Sequence, residues 1–403
     1  MPIANAMRAG LERGSWIRKM FEAGIELKAR LGPQAVFDFS LGNPDLEPPP
    51  EFLDALRAAA ISDEPGSHAY MTNSGYGFAR QAMAQKVAAE HDVPTQADDV
   101  VMTVGAAGAL NVILRTVLNP GDEVVVVRPY FAEYSAYVEN SGGALVVADS
   151  APDFSLDPEA VARALSPRTA VVIINSPNNP TGRVYPRSDI EALASALSAH
   201  ALKTGRAPYL VVDEPYRDIV YDGVFVPPVL SAYPESLVAS SFSKTLSIPG
   251  ERLGYVAVNP ACAEKALLVS GLATSNRVLG FVNAPALMQR AVAASWRAKA
   301  DVSRYGRRRD MLAAILDGAG IRYARPEGAF YLFCEVPAGG PATVPGESRD
   351  VAFAMALKDR GVLSVPGVGF GYPGWFRLCY CVPEATIEGS RAAFEETARA
   401  WNA

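Results

Sequence analysis

A series of short apolar runs, rich in valine and isoleucine and free of polar alternation, most constrains the fold of this chain. Strands of this kind are buried on both faces, as they are in a parallel sheet that carries helices on each side. Alanine-rich segments with helical character separate the runs. The sequence therefore predicts an α/β fold with a mostly parallel central sheet flanked by helices. The runs are Glu123–Arg128, Ala144–Ala148, Ala170–Asn175, Tyr209–Asp213, Leu237–Ser241 and Gly254–Val258.

A different pattern follows these runs towards the C-terminus. Ala286–Asp317 predicts one or more long helices. Two strand-like pieces, Ala329–Cys334 and Trp375–Cys381, then enclose a helix at Ser348–Arg360. This mixture is typical of a smaller α+β domain.

The length of 403 residues favours two domains rather than one. Near the N-terminus, Leu41–Pro50 is a turn-rich linker whose prolines exclude a helix. We expect residues 1–48 to contribute to the smaller domain, residues 49–285 to form the large domain, and residues 286–403 to form the small C-terminal α+β domain.

The composition restricts the class of partner. The chain carries 37 basic and 43 acidic residues, a net charge of −6, with no basic block, so we expect small-molecule partners and no nucleic acid. Residues 1–14 lack the apolar core of a signal peptide, and no later segment runs about 20 apolar residues without charge. We therefore expect no membrane association and a cytoplasmic protein.

Cysteine and histidine are sparse. The four cysteines, Cys262, Cys334, Cys379 and Cys381, lack the paired spacing of a metal site and suit a reducing compartment, with buried thiols as the simplest interpretation. None of the three histidines belongs to a local motif, so we expect neither a histidine triad nor a zinc site. The sequence predicts no metal and a base other than histidine.

Polar residues close several of the apolar runs, at the edge where parallel sheets bind ligands. A buried carboxylate such as Asp213 is costly unless it meets a cation, so an ion pair with an arginine, a helix cap or a ligand is expected there. Asn175–Gly182 follows another run as a rigid turn with two prolines. It is either a plain connection or a set of fixed donors aimed into the crevice.

Small residues in Met102–Leu110 mark the start of a helix, where free backbone amides and the helix dipole favour an anion such as phosphate. A plain glycine-rich helix start is the alternative. The aromatic residues of Arg128–Tyr134 follow another strand, and simple packing would account for them.

Lys244 follows the run that ends at Ser241, with Ser243 before it and Arg252 shortly after. A lysine near a second cation has its ammonium form disfavoured and can act as a nucleophile towards an aldehyde. A surface lysine that extends out of a loop is the alternative. One ligand would use the amine, the hydroxyls, the arginine, the phosphate cradle and the carboxylate of Asp213 together. That ligand, a phosphorylated aromatic aldehyde with a basic ring nitrogen, is pyridoxal phosphate.

The same residues lie within motifs that resemble a known family, the class I/II aminotransferases of the fold type I pyridoxal phosphate enzymes (aspartate aminotransferase superfamily). The matching motifs, in the family's order and spacing, are Leu41–Asp45, Asn179–Gly182, Asp213–Tyr216, Ser241–Tyr255 and Phe376–Leu378. The resemblance covers essentially the whole chain. It implies a pyridoxal phosphate-dependent aminotransferase that moves an amino group from an L-amino acid to a 2-oxo acid by a ping-pong mechanism. Aspartate with 2-oxoglutarate is a candidate pair.

The resemblance also implies catalytic roles. Lys244 would hold the cofactor as an imine and, once displaced by substrate, would move the proton between the substrate α-carbon and the cofactor. Asp213 would pair with the ring nitrogen and keep it protonated. Tyr216 and Asn179 would hydrogen-bond the phenolic oxygen of the ring, and Phe131 would stack on its face.

The remaining implied contacts hold the phosphate and the substrate. The phosphate would be bound by the backbone amides of Gly105, Ala106 and Ala107, by the hydroxyls of Ser241 and Ser243, and by Arg252. Tyr70 resembles a tyrosine that reaches the phosphate in the other subunit, which implies a homodimer with shared active sites. Arg377 resembles the arginine that clamps the substrate α-carboxylate, and Gly42 and Asn179 would assist it.

Two departures from the family leave the substrate open. Residues 106–109 are small where many relatives with an aspartate preference carry a polar or basic side chain, so the contacts of this turn would come from the backbone alone. Arg277 follows a segment that lies near the partner's active site in relatives, and either a substrate carboxylate, the phosphate or solvent would face it. A β-lyase, cyclase or oxidase using the same cofactor is the alternative function, and a non-catalytic ligand-sensing relative is a third.

Overall fold

The computed structural model describes residues 14–340 and 348–402, together with residues 3, 4, 7, 8, 10 and 11. The main helices are α1 (Trp16–Leu31), α2 (Pro50–Ala60), α3 (Gly77–His91), α4 (Gly105–Val117), α5 (Tyr134–Asn140), α6 (Pro158–Ala164), α7 (Arg187–Thr204), α8 (Lys265–Val278), α9 (Ala286–Ser295), α10 (Ser303–Gly318), α11 (Arg349–Lys358), α12 (Glu384–Gly389) and α13 (Arg391–Asn402). The strands are β1 (Phe37–Asp38), β2 (Val100–Thr103), β3 (Glu123–Arg128), β4 (Ala144–Asp149), β5 (Thr169–Asn175), β6 (Tyr209–Asp213), β7 (Ser236–Ser241), β8 (Gly254–Val258), β9 (Tyr323–Ala324), β10 (Tyr331–Glu335), β11 (Val362–Leu363), β12 (Val365–Pro366) and β13 (Trp375–Cys379).

A seven-stranded sheet in the order β2-β8-β7-β6-β5-β3-β4 forms the centre of the larger part of the molecule. The pairs from β7 through β6, β5 and β3 to β4 are parallel, whereas β8 runs antiparallel to both β7 and β2. The prediction of a mostly parallel sheet flanked by helices is therefore confirmed. β2 does not belong to the predicted runs, because its four residues are too short to form a pattern of their own.

Successive residues along the central strands pack on opposite faces of this sheet. Val125 of β3 and Ile174 of β5 belong to one hydrophobic core, and Val124 and Ile173 belong to another. Side chains alternate between the two faces of a strand, so these cores cover the two sides of the sheet. Burial on both sides is the reason that the strands are continuous apolar runs.

A second sheet of four strands, β12-β13-β10-β9, forms the centre of the smaller part. All its pairs are antiparallel, and β10 and β13 pair along their whole length. These two strands lie within or next to the strand-like pieces predicted around residues 329–334 and 375–381, and α11 lies inside the predicted helix at 348–360. The confirmed architecture is thus a large α/β part with a smaller α+β part.

Two segments show how the parts are joined. β1 pairs in parallel with β11, which ties the N-terminal segment to the smaller part. In contrast, α9 packs on α2, and its residues Met288, Ala291 and Val292 belong to the hydrophobic core of the central sheet. The domain boundary that the sequence places between residues 285 and 286 stays a prediction.

The four cysteines are buried and their thiols are free. Cys379 and Cys381 are neighbours in space, with their Sγ atoms 2.9 Å apart. Among the described residues, no helix has both the length and the apolar character needed to cross a membrane.

Candidate active site

The carboxyl ends of β5, β6 and β7 bring polar residues to one edge of the central sheet. Asn175 lies opposite Asp213 in the register of β5 and β6, and Asp213 lies opposite Ala239, two residues before Ser241. The side-chain amide of Asn175 donates to the carbonyl of Asp213 (2.7 Å). A cavity of about 230 Å³ opens at this edge. The parallel register therefore places the polar ends of three separate runs around one cavity.

Most of the residues that the sequence predicts for the site line this cavity. They are Gly42, Ala106, Ala107, Phe131, Asn179, Asp213, Tyr216, Ser241, Ser243, Lys244, Arg252 and Arg377. Gly105 lies against the guanidinium of Arg252 at the edge of the same group. Tyr70 and Arg277 do not line the cavity; the side chain of Tyr70 is 90% exposed.

Lys244 lies in the loop after β7. Its Nζ donates to the carbonyl of Gly42 (2.6 Å) and lies 5.4 Å from the ring centre of Phe330. Burial lowers the pKa of this amine below its ordinary value, and the positive charges of Arg377 and Arg252 act in the same direction, although two nearby thiols oppose them. The site therefore favours the neutral amine, which is the nucleophilic form of lysine.

Asp213 lines the cavity from the end of β6 and is only 5% exposed. Tyr134 donates to its Oδ2 (2.5 Å), whereas its Oδ1 has no hydrogen-bond partner in the described part of the chain. Burial raises the pKa of this carboxyl to about 7, against the opposing hydrogen bond from Tyr134, and the charge of Glu214 raises it further. A buried carboxylate oxygen with no partner, next to a cavity, calls for a donor from a ligand.

The start of α4 and Arg252 form another wall. Gly105 has a φ of +79°, and a Cβ atom there would lie 2.9 Å from Nη2 of Arg252. Only glycine therefore allows the guanidinium to approach the first turn of the helix in this way. Ser241 and Ser243 are buried beside the same cavity. Free amides, hydroxyls and a guanidinium together suit an anion such as phosphate.

Arg377 on β13 is 1% exposed and is held from several sides. Its Nη1 donates to Oδ1 of Asn179 (3.0 Å), and its Nη2 donates to the carbonyl of Ser40 (2.6 Å). Its Nε finds no partner among the described residues. The ring centres of Tyr331 and Phe370 lie 4.5 and 4.9 Å from the guanidinium carbon. A planar group held in this way offers its remaining N–H groups to a carboxylate in a fixed orientation.

Tyr331, at the start of β10, is a cavity residue that sequence reasoning misses. Its hydroxyl lies 2.8 Å from the hydroxyl of Tyr216. A Cβ atom on residue 42 would collide with the same hydroxyl, so Gly42 is required for this contact. The sequence carries no separate signal for Tyr331, because a tyrosine within an apolar strand ordinarily indicates packing alone.

Two tyrosines of α5 are also missed. Tyr134 bonds Asp213, and Tyr137 lines the cavity. Burial raises the pKa of Tyr137, as do the charges of Glu133 and Asp213, so its hydroxyl stays protonated as a donor. Positions 131, 134 and 137 follow each other at the spacing of one helical turn, and this is the signal that could have indicated that they share a face.

Tyr70 and Arg277 lie outside the cavity but belong to neighbouring segments. The side chain of Asn73 donates to the carbonyl of Val282 (2.7 Å), and the side chain of Asn276 donates to the carbonyl of Asn73 (2.9 Å). These bonds join the loop after Tyr70 to the end of α8, where Arg277 is exposed. Neither side chain therefore contributes to the cavity of its own chain.

Comparisons with known proteins identify the family. Residues 34–393 match the family described as aminotransferase class I and II. The aspartate/prephenate aminotransferase of Thermus thermophilus is 34% identical over 369 residues, which cover 89% of this chain and 89% of that protein. An aspartate aminotransferase of Geobacillus stearothermophilus is 30% identical over 382 residues, with 91% and 92% coverage.

Solved structures agree with the sequence comparisons. An aminotransferase from Eubacterium rectale has a TM-score of 0.93 at 35% identity and covers 100% of both chains. The aspartate aminotransferase from Thermus thermophilus with maleate has a TM-score of 0.85 at 28% identity, covering 98% of this chain and 100% of that one. This chain belongs to the class I and II aminotransferases, and it is a transaminase of the fold type I family of pyridoxal phosphate-dependent enzymes.

Proposed function

We propose that the cavity binds pyridoxal phosphate and serves to move the amino group of an L-amino acid to a 2-oxo acid by a ping-pong mechanism. The observation that carries the proposal is the buried, unpartnered Oδ1 of Asp213. It lines the same cavity as an amine of lowered pKa, Lys244, and as the anion site beside Gly105 and Arg252. These three groups fit a ligand that combines a protonated ring nitrogen, an aldehyde and a phosphate.

Different residues around the cavity would contact different parts of the cofactor. When bound, pyridoxal phosphate supplies an aldehyde that condenses with amines and a ring that withdraws electrons from the substrate α-carbon. The residues that would hold it are Lys244 at the aldehyde, Asp213 at the ring nitrogen, Phe131 at the ring face, Tyr216 and Asn179 at the phenolic oxygen, and Gly105, Ala106, Ala107, Ser241, Ser243 and Arg252 at the phosphate.

Lys244 would be the base of the reaction. Burial lowers the pKa of its amine, which favours the neutral form that would accept the proton of the substrate α-carbon. The resulting ammonium would then donate that proton on the cofactor side rather than back to the α-carbon. The hydrogen bond that Nζ donates to the carbonyl of Gly42 orients the amine, and it places no carboxylate beside it that would favour the ammonium form. No histidine lines the cavity among the described residues, which agrees with a lysine base.

Arg377 would bind the α-carboxylate of the donor and then that of the acceptor. Its bonds to Asn179 and Ser40 fix the guanidinium, so both substrates would present their second carbon to Lys244 in the same position. One such carboxylate site is used in turn by two substrates, which is why we propose that the first product leaves before the second substrate enters. The names of the relatives make aspartate the first donor to test, and 2-oxoglutarate, which the family resemblance implies, is the first acceptor.

We also propose a homodimer with shared active sites. Two large side chains of neighbouring segments are uncovered, since Tyr70 is 90% exposed and Val278, at the end of α8, is 61% exposed. A partner subunit would bury these side chains and would receive Tyr70 at its phosphate site.

Four free buried thiols suit a reducing compartment, which supports a cytoplasmic location.

Absorbance of the bound cofactor tests the proposed reaction. Addition of single amino acids to the purified holoenzyme should shift its band from near 430 nm towards about 330 nm, and a 2-oxo acid should reverse the shift.

Lys244→Ala should abolish turnover, because both the covalent attachment and the base are lost. Full activity of this variant would refute the role of Lys244. Release of ammonia or pyruvate without any 2-oxo acid would point instead to a lyase.

A further inference from the structure

The part of the cavity between Arg377 and Lys244 is bordered by Ser40, Leu41 and Gly42. The carbonyl of Ser40 accepts from Arg377, and the carbonyl of Gly42 accepts from Lys244. Leu41 stands between these two contacts, lines the cavity and is still 39% exposed. In the proposed function the substrate carboxylate meets Arg377 and its α-carbon meets Lys244. A substrate side chain would therefore begin close to Leu41.

From these walls we propose that the enzyme takes amino donors with an uncharged, apolar side chain in preference to aspartate or glutamate. The proposal rests on the proposed function, because it names the class of substrate for the same site. It concerns the side chain of the donor alone; the amino group and the α-carboxylate are common to all donors.

The cations around the cavity are all engaged. Among the described residues that line it, the cationic side chains are Lys244, Arg252 and Arg377. Arg252 is held beside Gly105 at the start of α4 and donates to the carbonyl of Pro249 (2.9 Å). Lys244 is the attachment point and base, and Arg377 receives the α-carboxylate. Among the described lining residues of this chain, no cation is left for a second carboxylate on the substrate side chain.

The remaining walls are apolar. Among the apolar side chains at the cavity, Ala106, Ala107 and Phe131 serve the cofactor in the proposed function, which leaves Ile17, Leu41, Leu110, Pro215 and Pro249. A carboxylate placed against them would lose its water and gain no countercharge. An aliphatic or aromatic side chain would instead cover apolar surface that is open to solvent at Ile17 and Leu41. Two of the hydroxyls at the cavity, on Tyr216 and Tyr331, already bond each other.

Equilibrium binding of unreactive carboxylates is the direct test. Calorimetric titration of the holoenzyme with maleate, a dicarboxylate, is compared with 4-methylpentanoate, a monocarboxylate that has an apolar tail. We expect the monocarboxylate to bind about tenfold more tightly or better. The half-reaction should follow the same order, with kcat/KM for leucine, methionine or phenylalanine above that for aspartate. Tighter binding of maleate, or a faster half-reaction with aspartate, would overturn the proposal.

The two proposals fail in different ways. If no amino acid changes the absorbance of the holoenzyme, transamination fails, whereas the carboxylate titrations still report on the walls of the cavity. If amino acids react but acidic ones react best, transamination stands and the apolar site is refuted. If acidic donors do react best, the variant Arg277→Ala tests whether this arginine is the cause of their preference. A loss of acid preference in this variant would show that an arginine of α8 in a second copy of the chain recognises the side-chain carboxylate.

A matched pair of variants on α1 tests the position of the apolar wall. Ile17 lines the cavity, while Ile25 lies on the same helix, is 57% exposed and does not line it. Ile17→Lys adds a cation at the wall and should raise the affinity for maleate about tenfold. Ile25→Lys adds the same charge elsewhere and should leave both affinities unchanged. Equal maleate affinities in the two variants would contradict the placement of the side chain at this wall.

Discussion

At the scale of single residues, Asp213 depends on one neighbour for both its geometry and its charge. Tyr134 donates to Oδ2 and leaves Oδ1 for a ligand. Burial alone would keep this carboxyl protonated, and the hydrogen bond from Tyr134 counteracts that tendency, so the pKa settles at about 7. The residue is thus poised to become an anion when a cationic ring nitrogen arrives.

We expect Tyr134→Phe to weaken cofactor binding about tenfold, because a hydrogen bond to a charged group contributes about 1.5–3 kcal/mol. Loss of this bond raises the pKa of Asp213 further, so a smaller fraction is ionised at neutral pH. Equilibrium dialysis of pyridoxal phosphate against both proteins measures the change. Tyr233→Phe removes another buried hydroxyl bond, to the carbonyl of Pro208 (3.0 Å), and should not alter cofactor affinity. Unchanged affinity in Tyr134→Phe would contradict the assigned role.

The raised pKa of Asp213 also makes the stability of the cofactor-free protein depend on pH. The carboxyl titrates at about 7 when folded and at 3.8 when unfolded, so the folded state binds the proton more tightly. The contribution of Asp213 to the free energy of unfolding is fully present below pH 3.8 and is lost as the pH rises through 7. Relative to Asp213→Asn, the free energy of unfolding of the unmodified chain should fall by up to about 4 kcal/mol over that interval. Urea unfolding at several pH values measures it, and a constant difference would disprove the shift.

At the scale of elements, α3 is joined to the segment after β6 by a buried network of charges. Its members are Lys86, Glu90, His91, Glu214, Arg217 and Asp218. The Nδ1 of His91 accepts from the backbone of Val229 (3.1 Å), so its Nε2 carries the proton and donates to Glu214 (2.8 Å). Burial would raise the pKa of Glu214, but His91 and Arg217 lower it to about 2. Glu214 therefore stays anionic beside Asp213 and holds the end of β6 against α3.

Glu214→Gln should destabilise the protein by about 3 kcal/mol, because Arg217 would keep its buried charge without its nearest countercharge. The free energy of urea unfolding is the appropriate measurement. Glu159→Gln is the matched control, since Glu159 is 91% exposed and 3.9 Å from Arg163, and such surface pairs contribute less than about 1 kcal/mol. Similar losses in the two variants would show that the network does not stabilise the fold.

At the scale of the whole molecule, both sheets contribute to one site. The central sheet provides Asp213 and Lys244, and the smaller sheet provides Arg377 and Tyr331. Gly182, in the loop after β5, accepts backbone hydrogen bonds from Glu327 and Gly328 (2.9 Å each), so the two parts contact each other next to the cavity. The cofactor end of the site therefore belongs to the larger part and the carboxylate end to the smaller part.

If Tyr70 serves the site of a second subunit, two inactive variants should restore activity in a mixed dimer. Lys244→Ala and Tyr70→Ala are each expected to be strongly impaired. After subunit exchange, one site of the mixed dimer contains both native residues, so about a quarter of the native activity should return in an equal mixture. Activity no higher than the mean of the two parents would place Tyr70 outside the partner's site. The mixture of Lys244→Ala with Asp213→Asn is the control, because both changes affect one chain's own residues.

The sequence predicted the central sheet well and the contacts of the site only in part. Runs such as Ala170–Asn175 were recognisable because burial on both faces leaves no polar alternation. Asp213 and Lys244 were recognisable because they lie at the ends of such runs. Tyr331 and the packing of α9 on α2 were not, since each depends on residues far away in the chain.

Strand burial and turn chemistry leave short local patterns in the sequence, and these patterns were enough to predict the α/β class, the order of strands β3 to β8 along the chain and the set of groups that suits pyridoxal phosphate. The folded chain was needed to show that a tyrosine rather than an arginine meets Asp213, that Oδ1 of this carboxylate is left free, and that Leu41 lies between Arg377 and Lys244 at the cavity. These properties arise from contacts between residues of the two sheets and of an N-terminal helix. Such residues are distant in the sequence, so the spacing within one segment does not show which of them will contact each other at the cavity.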